Sequence, residues 1–196
     1  MSRLSRKFYQ RDAGTLARAL LGQLLVRVLA DGTRLAGRII ETEAYLGVED
    51  KAAHSFGGRH TPRNAAMWGP AGHAYVYFIY GMHHCVNVVA ATSGDPAAVL
   101  LRALEPLEGL DTMRRHRAGR IAAARLRDRD LCSGPAKLAQ ALSIDRALDH
   151  ADLVAGEALF IERGVRMPAQ RIVATPRIGI DYAEEWAQKP LRFVLA

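Results

Sequence analysis

Apolar and polar side chains alternate along residues 34–45, RLAGRIIETEAY, with the two-residue period of a β-strand. This period places Glu41, Glu43 and Tyr45 on one face and a more apolar set on the other. The same alternation is typical of a half-solvated strand in an antiparallel sheet. The pattern alone therefore leaves open whether the acids and the ring line a pocket or an ordinary surface.

Two β-hairpins are predicted from β-prone runs that flank short turns. The run 24–29 is followed by an Asp-Gly pair at 31–32, a strong signal for a tight turn into the strand just described. A second β-prone stretch is interrupted by the Gly-Met pair at 81–82, so its two halves are expected to pair. Tyr80 would then lie near the tip of this second hairpin.

Helices are expected around the strands. Residues 12–24 have leucines at helical spacing after Asp12, which is suited to be an N-cap, and residues 105–117 show a similar period. Further strands are predicted at 98–104, 158–162, 171–174 and 191–195. We expect one α+β domain over residues 1–196, with a β-rich, curved, open-barrel-like antiparallel sheet, surrounding helices and a protruding hairpin.

Composition narrows the class of protein. With 196 residues, of which 49% are hydrophobic, the chain is long enough to bury a full core. The net charge of +7 favours a polyanionic partner, although the excess of Arg over Lys also fits nucleotide bias in the coding genome. Cys85 and Cys132 are too few for a disulfide framework or a four-thiolate zinc site. The chain shows neither a secretory signal nor a membrane-length apolar run, so an intracellular protein without a membrane partner is expected.

Several polar residues are candidates for a binding site. Residues 46–72 form a long Gly-, Pro- and His-rich stretch that contains His54, and loops of this length in compact domains are usually functional or disordered. Asn87 stands among valines and needs hydrogen-bond partners if it is buried. Arg102 lies in an apolar strand and needs an anionic or carbonyl partner. These positions are consistent with a polar pocket inside the fold.

Basic residues at other positions favour contacts with phosphate. Residues 114–129 contain seven arginines, which fit either a phosphate-binding patch or a solvated face. Ser133 and Pro135 mark a predicted helix start where free N–H groups could hold a phosphate, with Lys137 beside them.

Motifs for several common chemistries are absent from the sequence. It contains no phosphate-binding Gly-Lys-Ser/Thr loop, no dinucleotide fingerprint and no Gly-x-Ser-x-Gly elbow. His83 and His84 would point to opposite faces of a strand, so no metal site is expected. The remaining acid, rings and basic residues suit chemistry on a nucleobase that has been flipped out of DNA and stacked between rings.

Six segments carry a resemblance to a known family: ETEAYLG, AAHS-GG-TPRN, YVY-IYGM, LLRALEPLEGL, LCSGPAKL and KPLRF. In this order and spacing the sequence resembles the alkyladenine (3-methyladenine) DNA glycosylase family. The resemblance implies a monofunctional, cofactor-free enzyme of base-excision repair that acts as a monomer on damaged double-stranded DNA. Its expected substrates are 3-methyladenine, 7-methylguanine, hypoxanthine and ethenoadenine, and its expected compartment is the cytoplasm or, in a eukaryote, the nucleus.

The resemblance also implies roles for individual residues. Glu43 corresponds to the general base that activates water, and Arg102 and the backbone of Ile178 correspond to groups that help to hold this water. Tyr45 would stack on one face of the flipped base, and His54 and Tyr77 on the other.

Further residues would contact the base edge and the DNA. Asn87 would discriminate against the exocyclic amino group of guanine, whereas Tyr80, with Met82, would intercalate into the duplex. Phosphate contacts are expected from four basic or polar residues: Arg59, Arg63, Ser133 and Lys137. Two other classes stay open, a nucleic-acid-binding module without catalysis and a small-molecule hydrolase that uses the same carboxylate.

Overall fold

The first predicted hairpin forms as expected in a computed structural model, which describes residues 2–79, 81–119 and 122–196. Strands β1 (Leu24–Val28) and β2 (Arg34–Tyr45) pair in antiparallel register, with Leu24 opposite Arg38. At the turn, the Asp31 carboxylate accepts a hydrogen bond of 2.8 Å from the Thr33 N–H. The Asp-Gly signal is thus confirmed.

Strand β2 is the central element of a curled antiparallel sheet, whose other strands after β1 are β3 (Ala74–Ile79), β4 (His83–Val89), β5 (Ala98–Glu108), β6 (Leu159–Glu162), β7 (Ile172–Thr175) and β8 (Arg192–Leu195). Along one edge it pairs with β5, and along the other it pairs first with β1 and then, near Glu43, with β8. The pairing of β2 with β5 is irregular around Glu41, which is consistent with local bending of the strand. In the described part of the chain the sheet has eight strands, and the main order is β3-β4-β5-β2-β1-β6, with β7 paired to β8.

Helices surround this sheet, and the predicted α+β class is confirmed. The described α-helices are α1 (Arg6–Tyr9), α2 (Ala13–Leu20), α3 (Leu110–Arg117), α4 (Asp128–Leu131) and α5 (Pro135–Ala141), and six short 3-10 helices lie at Phe56–Gly58, Ala65–Trp68, Ala123–Arg125, Arg146–Leu148, Ala169–Arg171 and Asp181–Gln188. Among the described residues, none of the helices has the length and apolar character needed to cross a membrane.

Helix α2 defines the buried face of β2. The Thr42 hydroxyl donates a hydrogen bond of 3.0 Å to the Ala17 carbonyl of this helix, so Thr42 points away from its neighbours Glu43 and Tyr45. The predicted helix 12–24 was too long at its C-terminal end, because the chain turns at Gly22. There φ is +85°, and a Cβ would lie 2.1 Å from the Val165 carbonyl oxygen.

The predicted helix 105–117 was wrong over its first four residues. These residues extend β5 to Glu108, because the long strand β2 offers them pairing partners and Arg38 forms a 2.6 Å ion pair with Glu105. Gly109, in the left-handed region with φ of +76°, separates this strand from α3. Tertiary pairing thus overrides the local helical period.

The N-cap of α2 generates a stability prediction. The Asp12 carboxylate accepts a hydrogen bond of 2.8 Å from the Thr15 N–H, which otherwise has no partner within the helix. We expect Asp12→Ala to lower the free energy of unfolding by about 1 kcal/mol, as measured by denaturant titration. The matched Asp12→Asn variant retains a capping acceptor and should unfold close to the wild type. Equal destabilisation of both variants would contradict a capping role.

Candidate active site

A cavity of about 440 Å³ opens beside the C-terminal end of β2. It is bounded by β3, β4 and β5, by the 46–72 loop and by the segment that follows β7. Six of the residues singled out in the sequence line it: Tyr45, His54, Tyr77, Asn87, Arg102 and Ile178. The fold therefore brings together residues that are up to 133 positions apart, as between Tyr45 and Ile178.

Glu43 is completely buried, with 0% of its surface exposed, and it is not itself among the residues that line the cavity, although its three contact partners Tyr45, Arg102 and Ile178 are. One carboxylate oxygen accepts a 2.9 Å hydrogen bond from the Ile178 N–H and lies 3.2 Å from Arg102 Nη1. The other oxygen accepts a 3.0 Å hydrogen bond from the Tyr45 hydroxyl. Two hydrogen bonds and one ion pair thus satisfy one buried carboxylate, as the cost of burying a charge requires.

Arg102 is shared between Glu43 and a second acid, Glu41. Its Nε donates a 2.8 Å hydrogen bond to Glu41, and Arg192 Nε donates one of 2.6 Å to the same oxygen. Burial alone would raise the pKa of Glu41, but the hydrogen bonds from Arg192 and Arg102 outweigh it and lower the pKa. Glu41 had no role predicted from the sequence, whereas in the structure it orients the guanidinium beside Glu43.

Aromatic rings form much of the cavity wall. The His54 ring lies 4.7 Å from the Tyr77 ring and 6.0 Å from the Tyr75 ring, as measured between centroids. Tyr45, on β2, supplies a further ring to the same cavity. Burial, followed by the neighbouring Glu43, holds the pKa of Tyr45 well above its usual range, so its hydroxyl is a donor to that carboxylate.

Tyr75, which sequence reasoning did not assign to the site, connects two candidate residues. Its hydroxyl lies 2.7 Å from His54 Nδ1, and its backbone carbonyl accepts a 2.9 Å hydrogen bond from the Asn87 side-chain amide. The buried amide of Asn87 therefore has a partner, as its valine-rich surroundings required. The alternation of Tyr75 with Tyr77 on β3 was the signal that could have identified it.

His54 lies in an electrostatic environment that disfavours protonation. Although part of the His54 surface is exposed, desolvation of the imidazole beside the neighbouring rings, followed by the charges of Arg63 and Arg59, lowers its pKa from 6.5 to about 4. A neutral imidazole at neutral pH has one N–H donor and one acceptor nitrogen, and it can therefore read a hydrogen-bond pattern.

A buried ion pair lies behind the Tyr45 ring. Arg177 donates two hydrogen bonds to Asp50, of 2.5 and 2.9 Å, and both side chains are 0% exposed. The Arg177 guanidinium carbon lies 4.7 Å from the centroid of the Tyr45 ring. Neither charged residue was identified from the sequence, because their positions are 127 residues apart and no local pattern connects them.

The residues expected to contact DNA lie mainly on exposed surface. Met82 is 69% exposed in the turn between β3 and β4, and Tyr80 lies outside the described residues. Arg63 donates a 3.0 Å hydrogen bond to the Phe78 carbonyl of the same hairpin, and Arg59 is exposed. Lys137 donates a 3.1 Å hydrogen bond to the Ser133 hydroxyl at the start of α5.

The arginine-rich run 114–129 is partly occupied by contacts within the protein. Arg114 pairs with Asp111 and Asp128, and Arg127 pairs with Asp130. These pairs are more typical of a solvated face than of a surface whose charges are all directed at phosphate. Arg120 of this run lies outside the described residues. In the described ranges, no group of three or more His, Cys, Asp or Glu residues is arranged so that it could hold a metal ion.

The environment of His54 generates a prediction on pH dependence. Because its pKa is about 4 in the folded protein and about 6.5 in an unfolded chain, the unfolded state binds more protons between these values. The contribution of His54 to stability is therefore lost as pH falls from 6.5 to 4. The thermal midpoint of the wild type, relative to that of His54→Gln, should therefore decrease as pH falls from 6.5 to 4. His150→Gln, at an exposed position, is the control; a constant difference for His54→Gln would contradict the lowered pKa.

Comparison with known proteins gives one consistent result. The model of the methylpurine-DNA glycosylase family matches residues 7–196. Proteins named DNA-3-methyladenine glycosylase from Homo sapiens and Mus musculus are 55% and 57% identical over 98% and 97% of this chain, which spans 65% and 58% of their lengths. A relative from Clostridium acetobutylicum is 46% identical over 98% of this chain and 94% of its own length. The resemblance found in the sequence is confirmed, and the chain belongs to the methylpurine-DNA glycosylase family.

Proposed function

We propose that this protein is a monofunctional DNA glycosylase that flips damaged purines out of duplex DNA and hydrolyses their N-glycosidic bond, leaving an abasic site. The observation that carries the proposal is the buried Glu43 carboxylate, whose contact partners Tyr45, Arg102 and Ile178 all line a cavity walled by aromatic rings. Family membership and the names of the mammalian relatives support the same activity.

The cavity is suited to one flipped base. Its volume of about 440 Å³ lies within the usual range of small-ligand sites. Tyr45 would stack on one face of the base and His54 and Tyr77 on the other. Such rings attract a cationic base more strongly than a neutral one, and 3-methyladenine and 7-methylguanine are cationic in DNA. Hypoxanthine and ethenoadenine would bind as neutral substrates.

The proposed chemical step uses a water molecule as nucleophile. Arg102 and the backbone of Ile178 help to hold this water, and Glu43 accepts its proton as the oxygen forms a bond with the sugar C1′. The N-glycosidic bond breaks at the same carbon, and its electron pair leaves with the base. A cationic methylated purine leaves as a neutral molecule without protonation, whereas hypoxanthine needs a proton from a general acid.

Other contacts would set specificity and DNA binding. Asn87, whose side-chain amide donates a hydrogen bond to the Tyr75 carbonyl, would discriminate against the exocyclic amino group of guanine. Tyr80 and Met82 would enter the duplex and fill the gap left by the flipped base. Arg59, Arg63, Ser133 and Lys137 would contact phosphates.

A covalent Schiff base is not part of the proposal. Lys51, the lysine of the 46–72 loop, donates hydrogen bonds of 2.6 and 3.1 Å to Glu184 and Glu185. An amine engaged in this way is poorly placed as a nucleophile, so we expect no cleavage of the abasic strand. We also expect the protein to act as a monomer on DNA.

Glu43 provides the direct test. Duplexes that contain one hypoxanthine or one ethenoadenine are incubated with protein, and alkali then reveals abasic sites. We expect Glu43→Gln to lower excision by about 100-fold or more, because general-base catalysis contributes on this scale. Lys137→Gln is a control outside the base cavity that should affect DNA binding more than the excision step. Binding to damaged duplex without product from the wild-type protein would instead favour a non-catalytic nucleic-acid-binding module.

The pH dependence of excision should distinguish the two kinds of lesion. Hypoxanthine excision needs both a base and an acid, so its rate should pass through a maximum as pH rises. Excision of 7-methylguanine needs the base alone and should lack the alkaline decline. Single-turnover rates measured across pH on both duplexes test this expectation. Profiles of the same shape for both lesions would contradict the different fates of the two leaving bases.

A further inference from the structure

The ion pair between Arg177 and Asp50 is completely buried. The two side chains are 0% exposed and their guanidinium and carboxylate groups meet in two parallel hydrogen bonds. Burying both charges costs desolvation free energy. Their mutual attraction offsets this cost only when the geometry is good and further hydrogen bonds are made. A buried ion pair is therefore weak evidence for a stabilising role. Its other contacts indicate a different role.

Arg177 links the strand that carries Glu43 to the segment whose backbone N–H donates to the Glu43 carboxylate. Its Nη1 donates a 2.9 Å hydrogen bond to the carbonyl of Ala44, the residue that follows Glu43 in β2. The residue after Arg177 is Ile178, whose N–H donates to Glu43. One planar guanidinium thus fixes the strand that carries the carboxylate and the backbone that donates to it.

Asp50 holds the loop between Tyr45 and His54. Besides Arg177, its two oxygens accept hydrogen bonds of 3.0 Å from the N–H groups of Leu46 and Ala52. Asp50 is therefore engaged by four donors and has no freedom to move independently of the loop. The loop carries the imidazole to its place beside Tyr77.

The pair also sets the charge behind the Tyr45 ring. The Arg177 guanidinium carbon lies 4.7 Å from the centroid of this ring, and Arg177, unlike Tyr45, is not among the residues that line the cavity. We therefore infer that it approaches the ring from the protein side. A cation on one face of a ring weakens the attraction of the opposite face for a second cation, since both draw on the same quadrupole. The negative charge of the Asp50 carboxylate offsets the positive charge of Arg177, so the open face of the Tyr45 ring keeps its attraction for a cation.

We propose that Arg177 and Asp50 are a positioning pair that orients the Glu43 carboxylate, and that the neutrality of this pair maintains the preference of the Tyr45 wall for cationic damaged purines. The inference rests on the proposed glycosylase function. It assigns no catalytic step to either residue, because both act through the groups that they hold.

The charge component is tested by the ratio of two excision rates. Single-turnover rates at saturating protein are measured on matched duplexes that contain 7-methylguanine or hypoxanthine. Asp50→Asn leaves the Arg177 cation unneutralised, so the 7-methylguanine to hypoxanthine ratio should fall about tenfold from the wild-type value. The double variant Asp50→Asn with Arg177→Gln carries no charge at this position and should restore the ratio, although both rates stay low. An unchanged ratio in Asp50→Asn, or no restoration in the double variant, would overturn the charge component.

The positioning component is tested by a conservative change that keeps the charge. Arg177→Lys retains a cation beside Asp50 but loses the planar fork that also reaches Ala44, so both excision rates should fall about tenfold with their ratio unchanged. DNA binding should change little. This variant tests the positioning component even if Asp50→Asn does not fold. Wild-type rates in Arg177→Lys would overturn the proposal.

A matched control separates positioning from general destabilisation. Arg34 forms a two-bond ion pair with Glu162 at the opposite end of β2, with distances of 2.7 and 3.3 Å. Arg34→Lys should lower the thermal midpoint without changing either excision rate, and an equal loss of activity in this control would assign the effect to stability and overturn the proposal. The wild-type protein separates this inference from the proposed function: if it excises neither lesion, the glycosylase function itself fails.

Discussion

A carboxylate that has no contact with bulk water must obtain its hydrogen bonds from the protein, and the site depends on this constraint at Glu43. Its hydrogen-bond donors are the Tyr45 hydroxyl on the same strand and the backbone N–H of Ile178, and the Arg102 guanidinium on the neighbouring strand β5 adds an ion pair. Loss of any one donor leaves a buried acceptor without its partner, which is costly in free energy. The arrangement of β2, β5 and the segment after β7 is thus fixed by the needs of one side chain.

The same constraint extends outward through a chain of charges. Arg102 is itself oriented by Glu41, and Glu41 is held in turn by Arg192 of β8. On the other side, Ile178 is adjacent to Arg177, which Asp50 holds. Each of these buried charges has a partner of opposite sign. The low dielectric constant of the surroundings therefore strengthens the attraction within each pair, and this attraction offsets the cost of burying the charged groups.

Sequence reasoning performed best where local signals decide the structure. The Asp-Gly turn and the alternation along β2 predicted the hairpin and the shared face of Glu43 and Tyr45, because both depend on neighbouring residues only. The extension of β5 from Glu105 to Glu108 was not predicted, because pairing with a distant strand overrode the helical period. The site residues came largely from the family resemblance. The Arg177 and Asp50 pair was not predicted, because a contact between residues 127 positions apart leaves no periodic signal.

The pairing of β2 with three other strands also has a consequence for motion. A strand that is hydrogen bonded along both edges can open only if its neighbours open with it, so its backbone amides belong to the most protected part of a fold. The acid is therefore carried by the stiffest element, whereas His54 and Ile178 are carried by connecting segments. Adjustment of the cavity to ligands of different shape then falls to those segments, which can change in sequence without disturbing the strand that holds the acid.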